Sequence, residues 1–368
     1  MRDILIVAGE ASGDLHGAGV AERLRARLPG VKLVGLGGER MAAEGVALLS
    51  RTAGVIGFVE VLRHLPEQVG LLRRVEAHLR SGRVGLAILI DYGGFNLRAA
   101  AAARAAGVPV LYYVTPQVWA SRPGRLRTMA RVITKAAVIL PFEEELLRAN
   151  GIDATFVGHP LLDRAMNLPS REEARARLGI GAADRVLALF PGSRRQEIER
   201  HIDDFAAVAR ELERRRPGLR VVVSVAPTVE VAASDLPYQL VRSASFDVLR
   251  AADVALCKSG TTTLEAAIAG CPSAIVYRVN ALTYAFLKRI VRVRDIGLVN
   301  IVAGRRIVPE FVQDAFKPLD VAATLDPLFD DAAPTRRAML EGLADVRSRL
   351  GTPGAAGRVA DMAVSLLQ

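Results

Sequence analysis

Short apolar runs alternate with longer amphipathic stretches along the whole chain, and this alternation constrains its fold more than any other feature. Runs of strand length lie near residues 3–8, 31–34, 86–90, 108–114, 136–140 and 155–157, and again near 186–190, 219–225, 253–256 and 273–277. Helical stretches such as 15–28 and 95–106 separate them. Strands joined by crossover helices are typical of parallel sheets buried on both faces. The sequence therefore predicts an α/β protein with doubly wound parallel sheets.

The length of 368 residues predicts two domains. Single hydrophobic cores stop growing near ~250–300 residues, and turn residues at 158–160 and 167–170 interrupt the alternation. We expect Rossmann-like domains over 1–165 and 166–368, the second one carrying the terminal helices. Ligands of such sheets bind beyond the carboxyl ends of the strands, so the chemistry is expected in a cleft between facing strand-end loops.

Composition excludes several classes of protein. With 51% hydrophobic and 24% charged residues, the chain can bury enough apolar surface to fold. The apolar run 84–90 stops at Asp91, well short of the roughly 20 residues that a bilayer crossing needs. The first residues are interpreted as a β-strand and not as a signal peptide. Cys257 and Cys271 have no partners at zinc-ligand spacing and are expected to stay reduced in a cytoplasm.

The net charge of +10, from 49 basic and 39 acidic residues, suggests an anionic partner. Nucleic acid, an anionic membrane surface and a phosphorylated substrate all have that chemistry. Aromatic residues make up 5% of the chain and the arginines are dispersed, whereas nucleic-acid binding favours basic stripes interleaved with aromatic rings. Nucleic acid is therefore the least favoured of the three.

The loop after the first strand reads Gly9-Glu10-Ala11-Ser12-Gly13-Asp14 and resembles a phosphate-binding loop. Ala11 and Asp14 stand where the dinucleotide fingerprint needs glycines, so a nicotinamide cofactor is disfavoured. The alternative is a tight strand-to-helix turn in which Asp14 caps the helix. Carboxylates are not clustered as magnesium ligands are, so neither a cofactor nor a metal is predicted.

Asp91 follows directly on the apolar run 84–90 and precedes the turn Tyr92-Gly93-Gly94. A carboxylate in that place can accept a proton from a substrate hydroxyl. The alternative is turn formation ahead of a helix that begins at Phe95, a role that Asn96 could share. The residues alone leave both roles open.

Two loops of the second domain carry groups suited to a diphosphate. In Pro191-Gly192-Ser193-Arg194 the glycine admits close backbone approach, the serine offers a hydroxyl, and the arginine offers a planar fork for phosphate oxygens. Ser259-Gly260-Thr261-Thr262 enters a helix, whose start presents unpaired N–H groups and the positive end of a dipole. Capping alone is the alternative for this second loop.

These loops, with several others in the same order, give the chain a close resemblance to the lipid-A-disaccharide synthase family of glycosyltransferases. The resemblance covers nearly the whole chain. The segments that carry it are 9–14, Ile90-Asp91, Phe95-Asn96, Pro116-Gln117-Val118-Trp119-Ala120, Leu140-Pro141-Phe142-Glu143, 191–194, Ser259-Gly260-Thr261, Thr263-Leu264-Glu265, Tyr277-Arg278 and 300–305. It implies the GT-B architecture, with the nucleotide-sugar donor held mainly by the second domain.

The resemblance also implies a reaction. UDP-2,3-diacylglucosamine would donate its sugar to 2,3-diacylglucosamine 1-phosphate, giving a β-1,6-linked disaccharide 1-phosphate and UDP in lipid A biosynthesis. The transfer would invert the anomeric configuration and need no metal. Asp91 would be the general base and Arg194 would stabilise the leaving diphosphate.

Further site residues follow from the motif match. Glu10 is a catalytic candidate, Glu265 is a candidate ligand of the donor ribose, and Asn300 and Glu310 are donor-binding candidates. Gly9, Ser12, Gly13 and Asp14 would form an acceptor-side loop.

The chain departs from the family pattern at two places. After the first aspartate the family commonly has Pro-Asp where this chain has Gly93-Gly94, so Asp91 is the one carboxylate of that turn. Ser121 stands where the family often has a second tryptophan, which would change the surface facing the acceptor or lipid.

Acylated substrates imply a cytoplasmic protein that is peripheral on the anionic inner face of the inner membrane. The candidates for the membrane-facing surface are Val55, Ile56, Phe58 and Leu62, together with the mixed apolar and cationic run 286–292; core packing is the alternative for each.

The sequence leaves the oligomeric state open, a dimer included. Rival functions are another UDP-sugar enzyme, such as an N-acetylglucosamine epimerase or a peptidoglycan glycosyltransferase, and an inactive UDP- or membrane-binding module.

Overall fold

Two β-sheets, each parallel throughout, organise the chain. The structure is a computed structural model that describes residues 2–51, 65–121, 123–227, 229, 237–280, 284 and 293–368. The strands are β1 (Asp3–Ala8), β2 (Leu33–Gly37), β3 (Ala47–Arg51), β4 (Val84–Ile90), β5 (Val110–Tyr113), β6 (Lys135–Val138), β7 (Ala154–Phe156), β8 (Val186–Phe190), β9 (Arg220–Val225), β10 (Gln239–Arg242), β11 (Val254–Lys258), β12 (Ser273–Tyr277) and β13 (Glu310–Val312). Among these residues the first sheet has the order β3-β2-β1-β4-β5-β6-β7 and the second β10-β9-β8-β11-β12-β13.

Helices connect the strands. They are α1 (Ala11–Arg27), α2 (Glu39–Ala43), α3 (Leu65–Arg80), α4 (Gly93–Ala105), α5 (Val118–Ser121), α6 (Arg125–Val132), α7 (Pro141–Arg148), α8 (Leu161–Arg164), α9 (Arg171–Leu178), α10 (Arg195–Arg215), α11 (Ser245–Ala251), α12 (Thr262–Ala269), α13 (Leu298–Ala303), α14 (Pro318–Leu325), α15 (Pro334–Arg349) and α16 (Ala355–Leu367). In the described part of the chain, none of them is both long and apolar enough to cross a bilayer.

The strands of the first sheet are buried on both faces. In β1, Ile4 and Ile6 point to a core that also contains residues of α1 and α16. Leu5 and Val7 point to the opposite core, which contains residues of α3, α4 and α6. Because successive side chains of a strand alternate between faces, a strand covered on both sides needs a continuous apolar run. This requirement explains why the central strands were predictable from the sequence.

The three strands that the sequence did not predict are edge strands: β3, β10 and β13. Their residues are partly exposed, and none of them is buried on both faces as β1 and β8 are. An edge strand needs no continuous apolar run, so its sequence does not stand out against the neighbouring loops.

The chain forms two compact units, and one boundary differs from the expected one. The first unit is Met1–Asp163 together with Gly351–Gln368, and the second is Arg164–Leu350. The sequence placed the terminal helices in the second domain, but α16 belongs to the first. Val359 and Ala363 of α16 share a buried core with Val20 and Leu24 of α1. The apolar face of α16 packs against α1. This packing, and not the position of α16 in the chain, determines the unit to which α16 belongs.

Part of the positive charge is used inside the second unit. Asp253 is buried, and its carboxylate contacts Arg171 at 2.7 Å, Arg175 at 3.2 Å and Arg185 at 3.3 Å. Arg175 is itself buried. Some of the arginines behind the net charge of +10 are therefore structural and do not require an external anion.

Candidate active site

Asp91 follows the last residue of β4 and has a backbone conformation that residues with side chains rarely adopt. Asp91 has φ 51° and Tyr92 has φ 53°, so two consecutive non-glycine residues are left-handed. Each such residue costs of order 1–3 kcal/mol and persists only where its surroundings over-determine it. Strain of this kind clusters at functional sites.

Three hydrogen bonds hold the Asp91 backbone in place. Its N–H donates to the Tyr113 carbonyl at 3.0 Å. Its carbonyl accepts from the Tyr112 hydroxyl at 2.7 Å and from Asn96 Nδ2 at 2.9 Å. Burial, followed by the Asp91 charge, raises the pKa of Tyr112 well above its usual value, so the hydroxyl stays protonated and remains a donor. The Asp91 carboxylate is thus presented from a fixed backbone.

Asn96 has a larger role than the sequence indicated. It is fully buried in α4, and its Nδ2 also donates to the carbonyls of Ile90 at 3.1 Å and Val7 at 3.4 Å. One amide group therefore ties the ends of β1 and β4 to the Asp91 turn. The sequence suggested only that Asn96 could help to form a turn, because the Val7 carbonyl, through which it reaches β1, is distant in the chain.

The glycine-rich loop after β1 lies against this turn. A Cβ on Gly9 would fall 2.2 Å from the Tyr92 ring, so glycine is needed there for close approach. The Tyr92 ring stacks on Phe95 with the centroids 4.9 Å apart. Burial raises the pKa of Tyr92, and the Glu10 carboxylate acts in the same direction. The structure therefore brings Gly9 and Glu10 together with the Asp91 turn.

Asp14 caps a different helix from the one that the sequence suggested. It lies inside α1 and is buried, and its carboxylate accepts from the backbone N–H groups of Gly38 at 2.6 Å, Arg40 at 3.1 Å and Met41 at 3.1 Å. It therefore caps the start of α2 and not of its own helix. A carboxylate with three N–H donors is part of the scaffold. The acceptor-side role of the loop stays a prediction, and within it Ser12 is exposed and Gly13 packs on Ala8.

In the second unit, Glu197 joins two of the predicted donor loops. Its Oε2 accepts from the Ser193 N–H at 3.0 Å and its Oε1 contacts Lys258 Nζ at 2.7 Å. Burial opposes ionisation of Glu197, but Lys258 and the Ser193 N–H outweigh it and lower the pKa of the carboxyl. Gly192 has φ 144°, and a Cβ there would lie 2.7 Å from the Glu197 Cβ. The sequence did not single out Glu197, because its partners lie on other elements.

His201 extends this connection to a third strand. Its Nδ1 bonds to the Glu197 carbonyl at 2.7 Å, and its Nε2 accepts from the Arg278 N–H at 3.1 Å. Since Nε2 is an acceptor, the imidazole is neutral with its proton on Nδ1. Burial lowers the pKa of His201 and favours this form. The start of α10 thereby anchors the carboxyl ends of β8, β11 and β12.

The Ser259 loop is not explained by capping alone. Thr261 precedes α12 and makes no side-chain cap hydrogen bond. Ser259 Oγ instead donates to the Ile296 carbonyl at 2.9 Å and Thr263 Oγ1 to the Gly260 carbonyl at 2.9 Å. The first N–H groups of a helix have no intrahelical acceptor, so those at Thr261 and Thr262 are suited to an anion.

Asn300 and Glu310 hold a loop together. Asn300 is buried, and its Nδ2 donates to the Val308 carbonyl and to Glu310 Oε1, both at 2.8 Å. Its Oδ1 accepts from the N–H groups of Ile307 at 2.9 Å and Val308 at 3.0 Å. Glu310 also accepts from the N–H groups that precede α13, at 2.9 Å. Both residues therefore have a scaffold role in this loop, and their role as donor ligands stays a prediction.

Glu265 is engaged as well. It lies in the first turn of α12, is 7% exposed, and accepts from Arg164 Nη1 at 2.9 Å. The Glu265 carboxylate is therefore paired with Arg164 and mostly buried.

The predicted membrane-facing residues lie outside the described residues; they are Val55, Ile56, Phe58, Leu62 and the run 286–292. Within the described part, no three His, Cys, Asp or Glu side chains gather as metal ligands do.

A family model described as lipid-A-disaccharide synthetase matches residues 4–341 of the chain. Lipid-A-disaccharide synthase of Myxococcus xanthus is 41% identical over 373 residues, which are 99% of this chain and 97% of that protein. The synthase of Syntrophus aciditrophicus is 40% identical over 375 residues, covering 99% of this chain and 98% of that protein.

Solved structures with the same fold are more distant in sequence. The glycosyltransferase of kitacinnamycin has a TM-score of 0.64 at 18% identity and covers 100% of this chain and 99% of its own. UDP-GlcNAc 2-epimerase from Neisseria meningitidis, bound to UDP-GlcNAc, has a TM-score of 0.60 at 12% identity, with 99% of both chains covered. At these identities the likeness concerns the fold alone, and it confirms the predicted GT-B class of two Rossmann-like parallel sheets.

The scaffold role of Asn300 can be tested against the ligand role. Asn300→Ala leaves the N–H groups of Ile307, which is part-buried, and Val308, which is buried, without their acceptor. Each such loss at a buried site costs about 1–3 kcal/mol. We expect the free energy of unfolding in urea to fall by about 2–4 kcal/mol, while UDP affinity of the folded variant stays within about twofold. Unchanged stability together with lost UDP binding would contradict the scaffold role and support Asn300 as a donor ligand.

Proposed function

The chain belongs to the lipid-A-disaccharide synthetase family, and from this premise we propose the substrates and the residues with which it makes the disaccharide. The donor is UDP-2,3-diacylglucosamine and the acceptor is 2,3-diacylglucosamine 1-phosphate. The acceptor 6-hydroxyl attacks the anomeric carbon from the face opposite UDP, and the bond from that carbon to the diphosphate breaks. The products are the β-1,6 disaccharide 1-phosphate and UDP.

Asp91 removes the proton of the attacking hydroxyl. The observation that carries this assignment is the left-handed backbone at Asp91 and Tyr92, pinned by Tyr112 and Asn96. A turn that only reversed the chain would not need two strained residues, since glycine is available at the next position. A fixed carboxylate lowers the entropic cost of aligning base and nucleophile. Glu10, near the Tyr92 ring, is a second acceptor-side candidate.

The donor diphosphate is held in the second unit without a metal. Ser193, Arg194 and the N–H groups of Thr261 and Thr262 supply donors for oxygens on which negative charge develops as UDP departs. The support is the network that fixes these loops, with Glu197 bonded to both the Ser193 N–H and Lys258. Donors that are already in place need no reorganisation during the reaction and so stabilise the transition state selectively. Glu265 remains a candidate for the ribose only if its ion pair with Arg164 opens.

Acylated substrates place the reaction at a membrane surface, and we propose that the protein binds the anionic inner face of the inner membrane peripherally. The net charge of +10 supports this proposal, because anionic lipids attract basic surfaces by about 1 kcal/mol per cation close to the bilayer.

We expect Asp91→Asn and Arg194→Ala to fold normally and to lose transfer by on the order of 100-fold or more. The first variant removes the general base, which is worth roughly 100- to 10,000-fold in rate. The second removes a preorganised donor, which costs about 3–4 kcal/mol of barrier. Products are measured by mass spectrometry from the two diacylated substrates, with excess chelator present. Wild-type protein should yield the disaccharide 1-phosphate under these conditions.

Arg195→Ala is the matched control. Arg195 carries the same charge one residue along the chain, is exposed, and pairs with Glu199 at 2.7 Å, so its loss should leave turnover unchanged. Near-normal turnover of Asp91→Asn would remove Asp91 as the base. Loss of coupling when metal is chelated would contradict the metal-free donor site, and an isomerised UDP-sugar without disaccharide would indicate an epimerase.

Membrane association is expected to be electrostatic in part. Wild-type protein should sediment with vesicles that contain an anionic lipid and not with neutral vesicles, and binding should weaken as salt is raised, because salt screens such attraction. Equal binding to neutral and anionic vesicles would contradict the charge-based part of the proposal.

A further inference from the structure

Two segments that resemble the family have no role in the mechanism above, and the structure joins them. Trp119 lies in α5, within the segment 116–120, and Glu143 lies in the first turn of α7. Trp119 Nε1 donates to Glu143 Oε1 at 3.0 Å. The Trp119 ring also meets Phe142 edge-on, with the centroids 5.1 Å apart. Two contacts therefore fix one indole ring to the start of α7.

Helix capping accounts for only one of the two oxygens of the Glu143 carboxylate. Its Oε2 accepts from the Leu140 N–H at 3.2 Å, which is the ordinary bond of an acidic residue in the first turn to the residue before the helix. Such a cap works at the protein surface, whereas Glu143 is 2% exposed. The second oxygen is used by Trp119, from a different element. Burial of a carboxylate without a cation is costly, so a cap alone does not account for this arrangement.

The segment that carries Trp119 adjoins the Asp91 turn. It leaves β5 through Val114, which has φ 56°, a conformation that is strained for a β-branched residue. Pro116 then lies against Gly93, where a Cβ would fall 3.1 Å from the proline ring. Gly93 is two residues after Asp91. A shift of the segment 114–121 would therefore change the wall beside the proposed base.

We propose that Glu143 is a positioning residue that holds Trp119 and the segment 114–121 where the acceptor sugar binds. This inference rests on the proposed function for the identity of the acceptor. Glu143 acts through Trp119 and does not itself touch substrate. The ring of Trp119 is partly exposed, so one face of it can pack on a sugar or its acyl chain.

The proposal predicts a pH dependence with a definite sign. Burial raises the pKa of Glu143 to about 7, and the N–H donors of Trp119, Leu140 and Ile139 act in the opposite direction. The ionised carboxylate accepts from Trp119 on Oε1 and from Leu140 on Oε2, whereas the protonated acid has an O–H in place of one acceptor. As the pH falls below about 7, the Trp119 segment should loosen and the acceptor KM should rise.

Trp119 is the only tryptophan among the 368 residues, so its fluorescence reports on this bond directly. We expect wild-type emission to titrate near pH 7. Glu143→Gln can satisfy only one of the two N–H donors, so its emission should be independent of pH and resemble the acidic form of the wild type. Its acceptor KM should rise about fivefold or more, a loss of about 1 kcal/mol, with kcat and donor KM within about twofold of wild type.

Glu145→Gln is the matched control, because it removes an exposed carboxylate from the same turn of α7 and should behave as wild type in every measurement. Trp119→Phe removes the N–H from the other partner and should raise the acceptor KM without adding to the effect of Glu143→Gln. This second variant keeps the test decisive if Glu143→Gln fails to fold.

The outcomes separate the inference from the proposed function. If the emission of Glu143→Gln changes with pH as that of the wild type does, or if wild-type emission does not change with pH, then the proposed hold of Glu143 on Trp119 is overturned. If emission behaves as expected but the acceptor KM is unchanged in both variants, the positioning role is overturned while the transfer reaction stands. If the wild type makes no disaccharide, the proposed function fails, and the acceptor role of Trp119 fails with it.

Discussion

Parallel pairing within each sheet is the constraint on which the rest of the molecule depends. When all strands of a sheet run in one direction, every loop that follows a strand emerges at the same edge. Gly9, Asp91 and Val114 follow β1, β4 and β5, which are neighbours in the first sheet. Ser193 and Ser259 follow β8 and β11, which are neighbours in the second. Within each sheet, the parallel arrangement alone therefore brings together loop residues that are far apart in the sequence.

In each unit, buried polar side chains hold the loops at the carboxyl ends of the strands. In the first unit Asn96 and Tyr112 hold the strained Asp91 turn. In the second, Glu197 and His201 connect the loop after β8 with the ends of β11 and β12. Hydrogen bonds are stronger in the protein interior than in water, so these networks favour one loop geometry. Catalysis by positioning needs that kind of scaffold more than it needs reactive groups.

Much of the fold could be predicted from the sequence, since a strand buried on both faces must be apolar throughout. Edge strands escaped prediction because they lack that requirement, and α16 was assigned to the wrong unit because helix docking depends on matching surfaces distant in the chain. For the site, the loops at strand ends were identifiable by residue type and position.

What each loop side chain does was less predictable. Asp14, Asn300 and Glu310 have the residue types of ligands, yet their polar atoms bond to backbone groups of other elements. Glu197 and Glu143 have ordinary helix-start positions, and only their partners in space show that they hold loops. Side chains that organise a site are therefore harder to find than those that line it, because their signal is a contact and not a motif.

The central claim is that peptide N–H groups and a guanidinium, held by the Glu197 network, bind the donor diphosphate. A crystal structure of the protein with UDP, grown in the presence of chelator, tests it most directly. The account predicts diphosphate oxygens within hydrogen-bond distance of Ser193, Arg194 and the N–H groups at the start of α12. A diphosphate bound elsewhere in the protein, or UDP that binds only when a divalent metal is supplied, would contradict it.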